Sequence, residues 1–311
     1  MATNGITVDG SNKEVIFVTA DTHTAPASGR VKLYGKLDGF LYMQFPTGEE
    51  IRLGGDMSLD IARGIVPGQT SVNKFGHAPT GIQTTATDIW DRADADTTQQ
   101  IWVAPTAARV HAIVSTSGTD ASGSAGAKTL QVYGLTDWDT DEVSEVITMN
   151  GDTPVNTVNS YVIIHRMKVL TKGASGPNVG TITATAATDG TVTAAILVGH
   201  GQTQMAIYGV PSTQTAYMTR YYASLIGAVS NPATANAFAL DVLVNPEPDV
   251  ELTKFLSKHH NGLSNTATSV LRHDFNPYNK IPGPAIIKLQ GVAYSNDLDA
   301  AGGFDLILVD N

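Results

Sequence analysis

The sequence predicts an all-β protein: a jelly-roll-like β-sandwich preceded by an N-terminal β-meander arm. Three observations support this fold class. Thr, Ala, Gly and Val dominate the 311 residues and only 15% are charged, unlike the Leu-, Glu- and Lys-rich composition of helical proteins. Segments rich in β-branched and aromatic residues recur between turn clusters. No long segment has the apolar periodicity of a helix.

Residues 29–53 predict three short strands joined by two tight turns. The pair Asp38-Gly39 is typical of a two-residue hairpin because both turn positions tolerate positive φ, and residues 46–48 mark the second turn. A sheet of this size is marginal in water when it stands alone. We therefore expect it to dock on another surface or another chain. The expected docking side chains are Leu33, Tyr34, Phe40, Leu41, Tyr42, Met43, Phe45, Ile51 and Leu53.

The meander belongs to an arm that comprises residues 1–64. A predicted strand at 14–19 precedes the meander, and a helical turn follows it, capped by Ser58 and ended by Gly64. Residues 65–98 are rich in Gly, Pro, Thr and Asp and have few apolar anchors. They predict an extended linker.

The third predicted region, residues 99–311, is the jelly-roll-like sandwich. Side chains alternate between two faces within 217–226, and residues 304–309 are apolar on both faces, which suits a central strand. Roughly eight to ten strands without a helix favour a two-sheet sandwich, of which the jelly roll is the eight-stranded form. Residues 246–258 also fit a helix ending at Gly262, but a strand is favoured. The strand segments are 100–116, 128–136 with 143–149, 160–171, 180–187 with 191–198, 204–210, 217–226, 238–255 and 269–311.

The overall charge argues against two classes of partner. The chain has 19 Lys+Arg against 29 Asp+Glu, so phosphate backbones and anionic lipids repel it, and we expect no direct binding to nucleic acid or membrane. The absence of cysteine excludes disulfides, thiolate metal sites and cysteine nucleophiles. The N-terminus lacks the pattern of a signal peptide, and apolar stretches such as 194–198 are far too short to span a membrane. We therefore expect synthesis in a host cytoplasm.

The most suggestive metal-binding residues are His259 and His260, with His273 and Asp274 further along the chain. Adjacent residues of a strand point to opposite faces, so one ion cannot easily take both His259 and His260. The chain also lacks the His-x-His pattern of a cupin-type site. Surface or interface histidines are the simpler interpretation. Two isolated histidines are interpreted in the same way: His165 and His200.

Asp137, Asp139 and Asp141 resemble the start of a calcium-binding loop. An EF-hand loop requires Gly at its sixth position and a carboxylate at its twelfth, where this chain has Glu142 and Thr148, so that motif is excluded. A looser calcium site stays open for this loop and for an acidic turn at 296–299. A solvated loop is the alternative for both, and we predict no metal site.

Motifs for covalent catalysis and phosphate binding are missing. Neither 123–126 nor 173–176 has the Gly-x-Ser-x-Gly pattern, and 29–36 has five residues between its glycines where a P-loop has four. The sequence leaves open a glycosidase-type pair of carboxylates, because such residues come together only in the folded protein. We predict a protein that is not an enzyme and uses no cofactor. A carbohydrate-binding module is the alternative, with sugar rings stacked on Trp90, Trp102, Trp138, Tyr217, Tyr221 and Tyr222.

Two parts of the chain resemble virion structural proteins of tailed bacteriophages. The meander, with Gly-Lys-Leu-Asp-Gly-Phe-Leu-Tyr-Met at 35–43 and Gly-Glu-Glu-Ile-Arg-Leu-Gly-Gly at 48–55, looks like the N-termini of head-decoration, neck and fibre proteins. The ending, at 282–289 and 302–311, is similar to the C-termini of jelly-roll proteins of short-tailed phages. The resemblance brings no catalytic residue with it.

The resemblance implies a capsid decoration (cement) protein located in the virion. We expect a homotrimer whose arm binds the major capsid protein or another virion protein and thereby stabilises the head shell. An adaptor or fibre protein of the tail or neck is the alternative within the virion. The carbohydrate-binding β-sandwich module is the alternative from another class.

Overall fold

The computed structural model describes residues 7–9, 14–16, 24–36, 40–54, 57–92, 99–228, 237–264, 270–294 and 298–311. Strands account for most of these residues, which confirms the predicted all-β class. The described part of the chain contains a single short helix. The chain divides into two compact units, Met1–Thr70 and Ser71–Asn311.

The first unit contains a two-stranded sheet, a three-stranded sheet and the helix. Its sheets are antiparallel, and β4 is the central strand of the larger one. The elements are β1 (Thr7–Asp9), β2 (Glu14–Ile16), β3 (Lys32–Gly35), β4 (Leu41–Gln44), β5 (Glu50–Leu53) and α1 (Met57–Ala62).

The turns of the predicted meander follow the sequence signals. Gly48 has a φ of 88°, and its N–H donates to the carbonyl of Phe45 at 2.9 Å, as expected for a tight turn that needs glycine. The predicted Asp38-Gly39 turn lies outside the described residues. The predicted Ser58 cap is wrong, because α1 begins one residue earlier and Ser58 lies inside it.

The prediction of a linker at 65–98 is also wrong for a large part of its length. Gln69–Ile82 forms a 14-residue strand, β6, and the second compact unit begins at Ser71. Alternate residues of β6 are buried, but they are Lys74, Gly76 and Ala78, so no apolar alternation is visible in the sequence. The buried positions of β6 hold small or amphipathic side chains, so a search for alternating apolar residues does not detect this strand.

The remaining strands of the second unit follow in chain order. They are β7 (Thr87–Asp88), β8 (His111–Ser115), β9 (Ala127–Leu135), β10 (Val143–Thr148), β11 (Val155–Asn156), β12 (Ile163–Lys172), β13 (Ile182–Ala186), β14 (Val192–Ile196), β15 (Ile207–Val210), β16 (Gln214–Ala228), β17 (Ala237–Asn245), β18 (Leu256–Ser264), β19 (Val270–Pro282), β20 (Ala285–Ala293) and β21 (Leu298–Asp310). The strand favoured at 246–258 is therefore present only from Leu256 onward.

Two sheets are built from the first strand of this unit and its last seven. Their strand orders are β19-β16-β21-β6 and β15-β20-β17-β18, and β7 pairs with β20. The neighbours of known register are antiparallel. Only β17 and β18 are consecutive in sequence and also side by side, so most connections cross between the sheets. The predicted central position of 304–309 is confirmed, since β21 lies between β16 and β6.

Two smaller antiparallel sheets lie in the sequence between β7 and β15. Their orders are β11-β8-β13-β14 and β10-β9-β12. Side chains from these sheets and from the two larger ones belong to one buried apolar cluster, which includes Trp102, Tyr161, Phe238 and Phe304. The second unit therefore has one continuous core, consistent with a sandwich stabilised by burial of apolar surface.

Candidate functional site

The three-stranded sheet of the first unit has two faces of different chemistry. Residues directly opposite each other on antiparallel strands project to the same side, and neighbours along a strand project to opposite sides. The register pairs Leu33 with Met43, Met43 with Ile51, and Leu41 with Leu53. These five side chains form one face, which we call the apolar face.

The opposite face is polar and holds a hydrogen-bonded cluster around Glu50. The Glu50 carboxylate accepts hydrogen bonds from the Tyr34 hydroxyl, the Lys36 ammonium and the Gln44 amide. The Tyr34 ring stacks on that of Tyr42, with 6.0 Å between their centroids. Burial, and then the neighbouring Glu50 carboxylate, raise the pKa of Tyr34 above its ordinary value. Tyr34 is therefore a neutral hydrogen-bond donor at physiological pH.

Helix α1 is joined to this polar face by a buried ion pair. Asp60 of the helix is buried and forms an ion pair with Arg52 of β5, whose side chain belongs to the polar face. The Arg52 guanidinium also lies 4.1 Å from the ring centroid of Phe40. The Arg52–Asp60 ion pair thus links the helix to the sheet on its polar side.

The apolar face is therefore the side of the sheet opposite its own helix. Leu33 is 40% exposed, and Leu41, Met43, Ile51 and Leu53 are half-buried. A continuous set of apolar side chains with water access is typical of an interaction surface. It is the feature of the first unit most suited to binding another protein.

The nine predicted docking residues do not form one surface. Five of them make the apolar face, while Tyr34 and Tyr42 project to the polar face. Phe40 stacks under Arg52, and Phe45 lies at the turn, where its N–H donates to the carbonyl of Glu49 at 2.8 Å. The period-two alternation of strand side chains, applied to β3, β4 and β5, separates the two groups from sequence.

The histidines considered as metal ligands are divided between two sides of β18. His259 lies against His273 of β19, with 4.2 Å between ring centroids, and its Nδ1 is hydrogen-bonded to the Tyr221 hydroxyl at 2.6 Å. His260 instead pairs with Asp241 at 3.1 Å. Burial, followed by the charges of the neighbouring histidines, lowers the pKa of His259. The two adjacent histidines thus have different partners, as expected for a strand.

The carboxylates of the acidic loop also have separate partners. Asp139 accepts a hydrogen bond from the Ser212 hydroxyl at 2.7 Å, and Asp141 accepts one from the Thr213 hydroxyl at 2.6 Å. Of the second acidic turn, residues 296 and 297 lie outside the described residues. Within the described ranges, no three His, Cys, Asp or Glu side chains form a group suited to a metal ion.

The tryptophans considered for sugar stacking are core residues. Trp90, Trp102 and Trp138 are 0%, 2% and 8% exposed, and the indole N–H of Trp102 donates to the carbonyl of Thr193 at 2.8 Å. Tyr221 is also fully buried. A sugar ring requires an exposed aromatic face, so these four side chains are not a carbohydrate platform.

Comparisons with known proteins do not assign the chain to a family. No family model matches it, and a search of the curated proteins finds no match. None of the helices in the described part of the chain is long and apolar enough to cross a membrane.

Proposed function

We propose that the protein is a structural component of a tailed-bacteriophage particle, most specifically a capsid decoration (cement) protein. Its N-terminal sheet binds the head shell through the apolar face. The observation that carries this proposal is that the helix of the first unit is ion-paired to the polar face, whereas Leu33 on the opposite, apolar face is 40% exposed. Docking of this kind requires no catalytic residue and no cofactor.

The strand order of the second unit supports the proposal. Two sheets ordered β19-β16-β21-β6 and β15-β20-β17-β18 have the arrangement that two interleaved Greek keys produce. We propose that these eight strands form a jelly roll, with β7 to β14 as an insertion after its first strand. Jelly rolls are common in viral capsid proteins, which agrees with the resemblance carried by the meander and by residues 282–311.

The partner in this proposal is the major capsid protein or another protein of the shell. The acidic chain, with a net charge of −10, is suited to a protein partner on the outside of the particle rather than to the packaged nucleic acid. The protein acts as a homotrimer located in the virion, so that several apolar faces bind a symmetric shell together.

Truncation of the first unit tests the proposal. Removal of residues 1–66 keeps β6 intact, because that strand begins at Gln69. We expect the truncated protein to retain its β-sheet circular dichroism and cooperative unfolding. We also expect it to lose co-sedimentation with phage particles that were assembled without the protein. Undiminished binding of the truncated protein would contradict the proposal.

A point substitution locates the binding to the apolar face. Leu33→Glu places a charge on that face at a position that is already 40% exposed, so the first unit itself is little disturbed. Leu170→Glu is the matched control, since Leu170 is a strand leucine of the second unit with 47% exposure. We expect Leu33→Glu to weaken co-sedimentation at least tenfold and Leu170→Glu to leave it unchanged. Equal effects of the two substitutions would exclude the apolar face.

The location of the protein on the particle distinguishes the head from the tail. Immunogold labelling with an antibody against residues 71–311 is expected to mark the head surface in many copies. Labelling confined to the neck or tail would replace the decoration role with that of an adaptor or fibre protein. Particles without label would exclude a virion role.

A further inference from the structure

A cleft of about 350 Å³ is lined by residues of the second unit. His77 of β6 and His200, from the turn after β14, both line it, together with Gln204 and with Tyr222 and Ser224 of β16. The two imidazole centroids are 6.3 Å apart. The fold therefore brings two histidines from distant parts of the sequence to one solvent-accessible cleft.

Each of these histidines is oriented by its own carboxylate. Nε2 of His77 is 2.8 Å from Oδ1 of Asp299, and Nδ1 of His200 is 3.2 Å from Oδ2 of Asp91. The remaining ring nitrogens, Nδ1 of His77 and Nε2 of His200, make no hydrogen bond to any described residue. A carboxylate that accepts one imidazole N–H leaves the lone pair on the other nitrogen and increases its basicity. Pairing of this kind is typical of histidines that bind metal ions.

The distance between the rings agrees with a shared ion. A zinc ion about 2.0–2.1 Å from an imidazole nitrogen is about 3.2 Å from the ring centroid, so two rings on one ion are at most about 6.4 Å apart. The observed 6.3 Å is inside this limit. A tetrahedral angle at the metal would require the two ring centroids to approach by about 1 Å. The side chains of His77 and His200 are 21% and 27% exposed, and small rotations of the two rings would supply this approach.

We propose that His77 and His200 bind one divalent transition-metal ion of the zinc class, through Nδ1 and Nε2 respectively. Imidazole nitrogens favour zinc, copper or nickel over calcium or magnesium, which prefer oxygen. The described residues provide no third charged ligand, so the remaining positions are open to water or to an external ligand. The bound ion links strand β6 to the turn that carries His200. The site goes beyond the proposed function, since the docking sheet takes no part in it.

Calorimetric titration of the full chain with Zn²⁺ tests this site. The wild type is expected to bind Zn²⁺ saturably and one to one, and His77→Ala and His200→Ala are each expected to abolish this binding. His260→Ala is the matched control, because His260 also pairs with a carboxylate, Asp241, but lies outside the cleft. It is expected to bind Zn²⁺ like the wild type. Absence of wild-type binding, or binding that survives either cleft substitution, would overturn the proposal.

Further measurements distinguish the loss of a zinc ligand from a folding defect in the variants. Circular dichroism of each variant verifies that the sheets are intact. Zn²⁺ is expected to raise the midpoint of thermal unfolding of the wild type and of His260→Ala, but not of the cleft variants, because only a ligand bound to the native state stabilises it. In the wild type, Zn²⁺ should also shift the imidazole nitrogen resonances of His77 and His200. Shifts confined to other histidines would contradict the assignment.

Discussion

Replacement of Lys288 by Met removes one half of a fully buried ion pair in the second unit. Lys288 Nζ is 2.8 Å from Oδ2 of Asp88, and the two side chains are 3% and 0% exposed. The Asp88 carboxyl also accepts hydrogen bonds from the Gln290 side-chain amide and the backbone N–H of Trp102, each at 2.8 Å. Burial raises the pKa of Asp88, and the lysine and these donors partly oppose that rise. The Lys288 ammonium therefore offsets much of the free-energy cost of burying the Asp88 carboxylate.

The expected loss of stability arises because the Asp88 carboxylate stays buried without its cationic partner. Removal of one partner from a buried ion pair costs about 3–5 kcal/mol, because the other charge is left without compensation. Methionine keeps the length and most of the volume of lysine, so little cavity is added. Lys288 also lies 4.3 Å from the Phe255 ring centroid, and loss of that contact adds about 1 kcal/mol. We expect Lys288→Met to lower the free energy of unfolding by about 4–6 kcal/mol.

Urea denaturation followed by tryptophan fluorescence measures this loss. All three tryptophans, Trp90, Trp102 and Trp138, lie in the second unit and are buried, so the signal reports on that unit. The double variant Asp88→Asn/Lys288→Met has no buried charge at the pair and is expected to be more stable than Lys288→Met alone. A loss below about 1 kcal/mol for Lys288→Met, or simple additivity in the double variant, would refute the reasoning.

Two further predictions concern other buried polar groups. Asp120→Asn should cost about 2–4 kcal/mol in urea denaturation, because the carboxylate accepts four hydrogen bonds, including those from the Ser115 hydroxyl and the Gly180 N–H. Burial alone would raise the pKa of Asp120, but these donors lower it, so the stabilisation should disappear as pH falls below about 4. Burial lowers the pKa of Lys74 to about 7, so between pH 7 and about 10 only the unfolded chain holds this proton. Wild-type stability should therefore rise by about 2 kcal/mol or more over that range relative to Lys74→Met, and parallel curves would contradict the assignment.

The sequence predicts most strands of the second unit because their apolar residues alternate. Residues 217–226 lie within β16, and 304–309 lie within β21, whose buried residues include Phe304, Leu306 and Leu308. Apolar alternation does not predict β6, because its buried positions hold small or amphipathic residues. A Cβ at Gly76 would lie 2.3 Å from the carbonyl oxygen of Ile89, so close packing of the backbone selects glycine there. Such close approach is a tertiary effect that no local pattern reveals.

The two candidate sites, the apolar face and the histidine cleft, differ in how much of each can be predicted from the sequence. The five residues of the apolar face lie within 33–53, and strand alternation is sufficient to separate them from Tyr34 and Tyr42. The cleft histidines cannot be found in this way. His77 lies on a strand and His200 in a turn far along the chain, and their carboxylates come from two further segments. Only the crossing connections of the fold bring these four groups together.

The size of the apolar face implies that the proposed docking needs several copies of the chain. Full burial of one Leu, Ile or Met side chain contributes about 1.5–3 kcal/mol, and the five side chains of this face are already more than half buried. About 1 kcal/mol remains for each on docking, or about 5 kcal/mol in all, against an association cost of about 4–15 kcal/mol. A single sheet therefore binds weakly or not at all, whereas a trimer that engages three equivalent shell positions gains affinity through effective concentration. Attachment in this proposal depends on oligomerisation of the chain as much as on the apolar face.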